Sequence, residues 1–156
     1  LLASQPQFKL PMLDRLLQIH QRQHDLAGMI DVINRCLKEQ QSNPAYVESW
    51  CYLKLLEGSE MEKAAHTIHH HIEDNPERRP TASLIEAFAA YRFGDLESAG
   101  REAKSVVASK LPPGQRAVLA GILQACGREA DAFQLAEKIP ESIVLAEESR
   151  FLNTAL

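Results

Sequence analysis

No stretch of this chain is long and apolar enough to cross a bilayer. Its longest apolar run, Ala117 to Leu123, falls far short of the roughly 20 residues that a spanning helix needs. Cysteine is scarce: Cys36, Cys51 and Cys126 are widely spaced and form no Cys-x-x-Cys pair. Free, buried thiols in a reducing, cytoplasmic setting are the expectation. Strand signals are absent. So are the Gly-rich phosphate loop, the dinucleotide fingerprint Gly-x-Gly-x-x-Gly and the nucleophile elbow Gly-x-Ser-x-Gly. Carboxylates are plentiful, but no pair stands isolated in apolar surroundings, so neither catalysis nor a cofactor is expected. The chain opens Leu1-Leu2-Ala3 without an initiating Met, which is compatible with a domain excised from a longer protein.

What is present fits one folded domain, residues 1–156. Hydrophobic residues make up 45% and charged residues 24%, close to globular averages, which argues against disorder. The net charge of −4 argues against a protein dominated by phosphate contacts. Its distribution is uneven: residues 1–77 carry −4, residues 78–128 carry +4 and residues 129–156 carry −4. The positive middle is either chance segregation on solvated helix faces or a basic band that faces an acidic partner.

One short pattern recurs. Gly94-Asp95-Leu96-Glu97-Ser98-Ala99 has a counterpart in Gly127 to Ala132, and weaker ones in Ser59 to Ala64 and His24 to Met29. The last residues of the four blocks, Met29, Ala64, Ala99 and Ala132, are separated by 35, 35 and 33 positions. Around each block the pattern is helix, tight turn, helix. Gly94 and Gly127 suit the left-handed residue that closes a helix, and Asp95 suits the cap of the next one. Ser59 and Glu62 have capping-box spacing. Asn43-Pro44 reads as an N-cap followed by Pro at the first helical position, and Pro76, Pro80, Pro112-Pro113 and Pro140 mark other boundaries. Four residues beyond each block stand Ile33, Ile68, Ala103 and Ala136; three further on stand Cys36, His71, Val106 and Ile139. Spacings of 4 and 7 put both columns on one helix face, which a neighbouring helix must cover.

This arrangement resembles the tetratricopeptide repeat family, whose helical hairpins are about 34 residues long with Gly in the turn, Ala opening the second helix and Pro near the end. The expected fold is all-α: a right-handed α-solenoid of about four such hairpins. They span approximately residues 10–43, 44–78, 79–111 and 112–140. A helix within 141–156, built on Leu145, Phe151 and Leu152, would cap the last unit or open a truncated fifth. In the family, the first helices of successive hairpins line a concave groove. The matching positions here are Asp14, Gln18, Gln21 and Arg22, then Ser49, Leu53, Leu56 and Glu57. Leu84, Phe88, Tyr91 and Arg92 follow, then Ala117, Gly121 and Gln124. Of these, Leu53, Leu56, Leu84, Phe88, Tyr91, Arg92 and Gln124 are the candidate partner-binding residues. Aromatics and Arg concentrate binding energy at interfaces, although Phe88, Tyr91 and Arg92 also suit packing between hairpins.

Histidines form a second feature. Glu62, His66, His69, His70 and Glu73 make a stripe along one helix, away from the apolar stripe Met61, Ala64, Ile68 and Ile72. Imidazole and carboxylate at such spacing can ligate zinc. Without a His-Glu-x-x-His arrangement the stripe reads as a solvated polar face with at most weak binding at His66 and His70, and no metal is expected. His20 and His24 read as ordinary helix-end residues.

Two readings of function follow, neither of them enzymatic. The first is an interaction module or scaffold that holds a peptide or helix of another protein in its groove, with self-association open. The second is single-stranded RNA binding through segment 78–128, as in helical repeats of similar period. Overall acidity and the turn Gly favour the first.

Overall fold

A computed structural model describes residues 6–156. All regular structure among the described residues is helical. Nine α-helices follow in order: α1 (Pro6–Arg22), α2 (Leu26–Glu39), α3 (Pro44–Glu57), α4 (Met61–Asp74), α5 (Arg79–Arg92), α6 (Leu96–Ala103), α7 (Pro113–Ala125), α8 (Glu129–Ala136) and α9 (Ala146–Ala155). Single 3-10 turns at Pro76–Arg78, Ala108–Lys110 and Glu141–Ile143 lead into α5, α7 and α9. No described helix is long and apolar enough to cross a membrane.

Local chemistry explains where the helices stop. Gly94 and Gly127 take φ of 79° and 77°, a conformation that costs an L side chain a steric clash. Beyond them the amides of Asp95 and Arg128 reach back to the carbonyls of Ala90 and Leu123, both at 2.9 Å. That is the closing bond of a Schellman turn. The first turn achieves the same bond, Asp25 to His20 at 2.9 Å, with His24 at φ 55° in place of a glycine. Asp25 and Asp95 then cap α2 and α6 by accepting from the amides of Gly28 and Ser98. Asn43 caps α3 by accepting from Ala45, with Pro44 at the first helical position.

The capping box expected of Ser59 and Glu62 does not form. The N-cap of α4 is Glu60, at φ 49° and without a side-chain cap bond. That places Ser59 outside the helix, where its hydroxyl bonds Glu57 and the ammonium of Lys54 instead.

Register repeats across the chain. Met29, Ala64, Ala99 and Ala132 are each the fourth residue of α2, α4, α6 and α8. Each donates its amide to the N-cap carbonyl of its helix, and all four are buried. The three alanines let α4, α6 and α8 lie close to the helices before them, whereas α2 packs through the longer Met29. Ile33, Ile68, Ala103 and Ala136 are buried on the same faces. The next column outlasts its helices: α6 ends at Ala103 and α8 at Ala136, so Val106 and Ile139 reach the core from the loops that follow.

Each helix from α1 to α8 packs on its successor, and α3 also meets α5 as α5 meets α7. The first helices of the pairs need this extra cover. In α7 every residue from Ala117 to Leu123 is buried, and a helix apolar all round must be covered all round. Helices α5, α6 and α8 cover three sides of α7, and α9 takes the fourth. The expected cap on the last pair is therefore met only at its edge. Helix α9 lies along α7, touches α8 less and extends to α3, while Phe133 of α8 stays 48% exposed.

Ala99→Arg and Ala132→Arg should each lower stability by about 3 kcal/mol or more, because overpacking and an unpaired buried charge act together. Urea denaturation of the two variants checks this. Unchanged midpoints would show that these positions are not close contacts.

Candidate functional site

The face shared by α3, α5 and α7 gathers most of the candidate partner-binding residues, and α9 lies on it. Leu53 and Leu56 of α3 and Leu84 and Phe88 of α5 are buried; Tyr91, Arg92 and Gln124 are half-buried. Phe88 is 0% exposed. Its ring stands edge-on to Phe151 of α9 at 5.4 Å between centroids, and Tyr91 meets the same ring at 5.7 Å. On the other side Tyr52 lies 6.0 Å from Phe88. The aromatics thus form a chain from α3 through α5 to α9, an arrangement worth more than its buried area alone.

Phe151 reaches this place because α7 carries no side chain there. A Cβ added at Gly121 would lie 2.8 Å from the Cβ of Phe151, closer than real atoms approach. Leu152 and Ala155 are buried beside it. A fully buried Phe or Leu contributes roughly 1.5–3 kcal/mol each, which makes the seat of α9 substantial.

Two polar contacts fix the start of α9. Glu148 is buried, and its Oε1 accepts from the Tyr52 hydroxyl at 2.7 Å. Its Oε2 accepts from the amide of Leu145 at 2.8 Å, half of a capping box whose other half Leu145 cannot supply. Gly114 makes room, since a Cβ there would collide with this carboxylate. Burial raises the pKa of Glu148 above its ordinary 4.5, against the two hydrogen bonds that favour the charged form. Burial likewise carries the Tyr52 phenol well above 10.0.

Beside this pair lies a cavity of about 190 Å³. Leu17, Met29, Ile33 and Leu53 line it from one side, and Leu145 and Glu148 from the other. A second cavity, of about 160 Å³, runs along α9 from Glu147 to Thr154, between that helix and Leu56, Tyr91 and Arg92. Arg92 donates from Nη2 to the carbonyl of Leu56 at 2.9 Å. Its guanidinium lies over Phe88 at 5.2 Å and over Phe151 at 5.9 Å. Burial depresses its pKa, and the nearby cation of Arg150 adds to that.

Sequence reasoning missed Tyr52 and Glu148, which meet across 96 positions. Leu145 is not a capping residue type, so the Glu three positions later carried no capping signal, and nothing local could name Tyr52 as its partner.

The other candidates do not assemble into sites. His69 pairs with Glu86 at 2.7 Å, His70 with Glu73 at 3.1 Å, and His66 packs edge-on against His70. Among the described residues no three His, Cys, Asp or Glu side chains converge as a metal-ligand set. His20 bonds Asp25 at 2.8 Å; with the Gly28 amide, the larger effect, it holds that carboxyl below its ordinary 3.8. Cys36 and Cys51 are buried and free, and burial pushes Cys51 up to about 12, so little reactive thiolate is present.

The basic middle of the chain is dispersed. Arg78 forks onto Glu48 at 2.8 and 2.7 Å, and Glu48 also meets His71 at 3.0 Å. Arg79 faces Glu102, and Arg128 faces Asp131. Four of the eight cations in this segment, Arg78, Arg79, Arg101 and Arg128, pair with carboxylates on several different elements.

Gly121→Val should weaken the fold by about 1–3 kcal/mol through forced displacement of α9, read as a lower urea midpoint; full stability would place Phe151 elsewhere. The raised Glu148 sets a pH dependence. A folded carboxyl pKa above the unfolded one adds stability that is fully present below about pH 4.5 and lost as pH rises through the folded value. Relative to Glu148→Gln, the melting temperature of the wild-type chain should therefore fall from pH 4 to pH 7, and parallel profiles would refute the burial of this group. No protein-family model matches the chain, and no curated protein matches it in sequence.

Proposed function

We propose that the chain is an interaction module, a right-handed solenoid of four tetratricopeptide-like hairpins whose concave face holds an amphipathic helix of another protein. It makes and breaks no bonds. One observation carries the reading: the face of α3, α5 and α7 already holds a helix, the chain's own α9, through Phe151, Leu152 and Glu148. A surface that seats one amphipathic helix has the depth, apolar lining and anchoring polar groups to seat another. Order in the scaffold lowers the entropic cost of capture. Three further facts support the module. Turns repeat their geometry, the fourth residue of every second helix is buried, and α3, α5 and α7 pack side by side. The scattering of the basic residues among carboxylates disfavours the RNA reading, which needs a continuous positive track. The free thiols suit a reducing, cytoplasmic compartment.

The test uses two baits, the intact chain and its Tyr91→Ala, Arg92→Ala variant, with bound proteins identified by mass spectrometry. Both changed residues are half-buried, so the variant should keep its helical circular dichroism while losing at least about 2 kcal/mol of binding, a factor of roughly 30. Equal recovery of the same proteins on both baits would sink the assignment of the binding face.

A further inference from the structure

Helix α9 fits its seat well along one side and poorly along another. At the start, Glu148 satisfies both Tyr52 and the Leu145 amide, and in the middle Phe151 fills the space over Gly121. Along the side that carries Glu147, Arg150 and Thr154 the match fails. The Nε of Arg92 and the Oε2 of Glu147 are buried without a hydrogen-bond partner on the protein, and both residues line the same cavity of about 160 Å³. The third charged residue on that cavity is Arg150 of α9, a cation set toward another cation. Its charge opposes the guanidinium of Arg92, which is already strained by burial. An unmade hydrogen bond at a buried donor and a like-charge contact both oppose binding. Helix α9 therefore covers this surface without satisfying it.

We propose that α9 is a displaceable internal ligand, and that the face it covers takes an external amphipathic helix that repeats its Glu-x-x-Phe-Leu anchors but carries a carboxylate where α9 has Arg150. This deepens the interaction reading and rests on it. The external helix keeps the bond to Tyr52 and the aromatic seat over Gly121, and adds an ion pair to Arg92. The guanidinium, with Nη2 already on the Leu56 carbonyl, offers that carboxylate its free Nε. Because the competitor is part of the same chain, the measured affinity for any such ligand is reduced by the fraction of time α9 is seated. Weakening α9 unmasks the site, and strengthening α9 closes it.

The probe is a fluorescein-labelled synthetic peptide of residues 141–156 carrying Arg150→Glu, titrated by anisotropy into the full-length chain beside the unmodified peptide. The Arg150→Glu peptide is expected to bind at least tenfold more tightly. Arg92→Leu in the chain should erase that preference, and Phe151→Ala in the chain should tighten both peptides by weakening the internal competitor. Equal binding of the two peptides, or a preference that survives Arg92→Leu, overturns the proposal. So does failure of either peptide to bind a Phe151→Ala chain that remains helical.

Should Phe151→Ala prevent folding, Arg150→Glu in the full-length chain decides the matter. It should raise the melting temperature through the new pair with Arg92 and weaken the peptide at least tenfold; an unchanged or lowered melting temperature overturns the proposal. A doubling of mass with concentration in the wild-type chain, abolished by the peptide, would make a second copy's α9 the ligand and overturn the external-partner form. Equal peptide binding beside Tyr91- and Arg92-dependent capture of a protein defeats this inference alone. A tenfold peptide preference without any captured protein keeps the helix site and removes the interaction role.

Discussion

Helix backbones approach closely only where a side chain takes no room, and this chain depends on that condition at two kinds of place. The first is the fourth residue of α4, α6 and α8, where Ala64, Ala99 and Ala132 are wholly buried. The second is Gly121, which lets Phe151 rest against the backbone of α7. Alanines set the spacing within the last three helical pairs, whose first helices, α3, α5 and α7, lie side by side. That stacking creates a continuous apolar face, and Gly121 decides what lies on it. A larger residue at any of the four positions would separate layers whose packing is already as dense as an organic crystal.

Local features of the fold were legible because their causes are local. The left-handed glycines at 94 and 127, the caps at Asn43 and Asp95, and the register of Met29, Ala64, Ala99 and Ala132 all follow from backbone chemistry within a few positions. The error at Ser59 had a neighbouring cause, since Glu60 in a left-handed conformation moved the start of α4 by one residue. The course of α9 was of another kind. Apolar spacing identified Leu145, Phe151 and Leu152 as a buried stripe but could not say which distant face would bury them. The candidate residues Leu53, Leu56, Phe88, Tyr91 and Arg92 do lie about one surface, and the resemblance supplied their grouping. It could not reveal that the surface is covered, because Tyr52 and Glu148 are brought together only by the complete fold.

The covered surface also explains the unusual polar content of the interior. A carboxylate buried among apolar side chains is costly unless each oxygen has a donor. Glu148 has a phenol for one and an amide for the other. This pair orients the first turn of α9 much as a key residue orients a docked peptide. Arg92 is the opposite case, a cation drawn between two aromatic rings with one donor left over. Glu148 is satisfied while Glu147, beside it in the same turn, and Arg92 are not, so α9 is held unevenly around its axis.

The order in which the chain is made adds a consequence of the long reach from Tyr52 to Glu148. Translation proceeds at roughly 5–20 residues per second, so the 54 positions between Arg92 and Ala146 take on the order of 3–10 s to synthesise. Helical pairs form within microseconds to milliseconds. Until α9 is made, Phe88 and Tyr91 have no Phe151 to cover them. Every newly made molecule thus passes once through a stage in which this surface has no helix of its own chain to cover it.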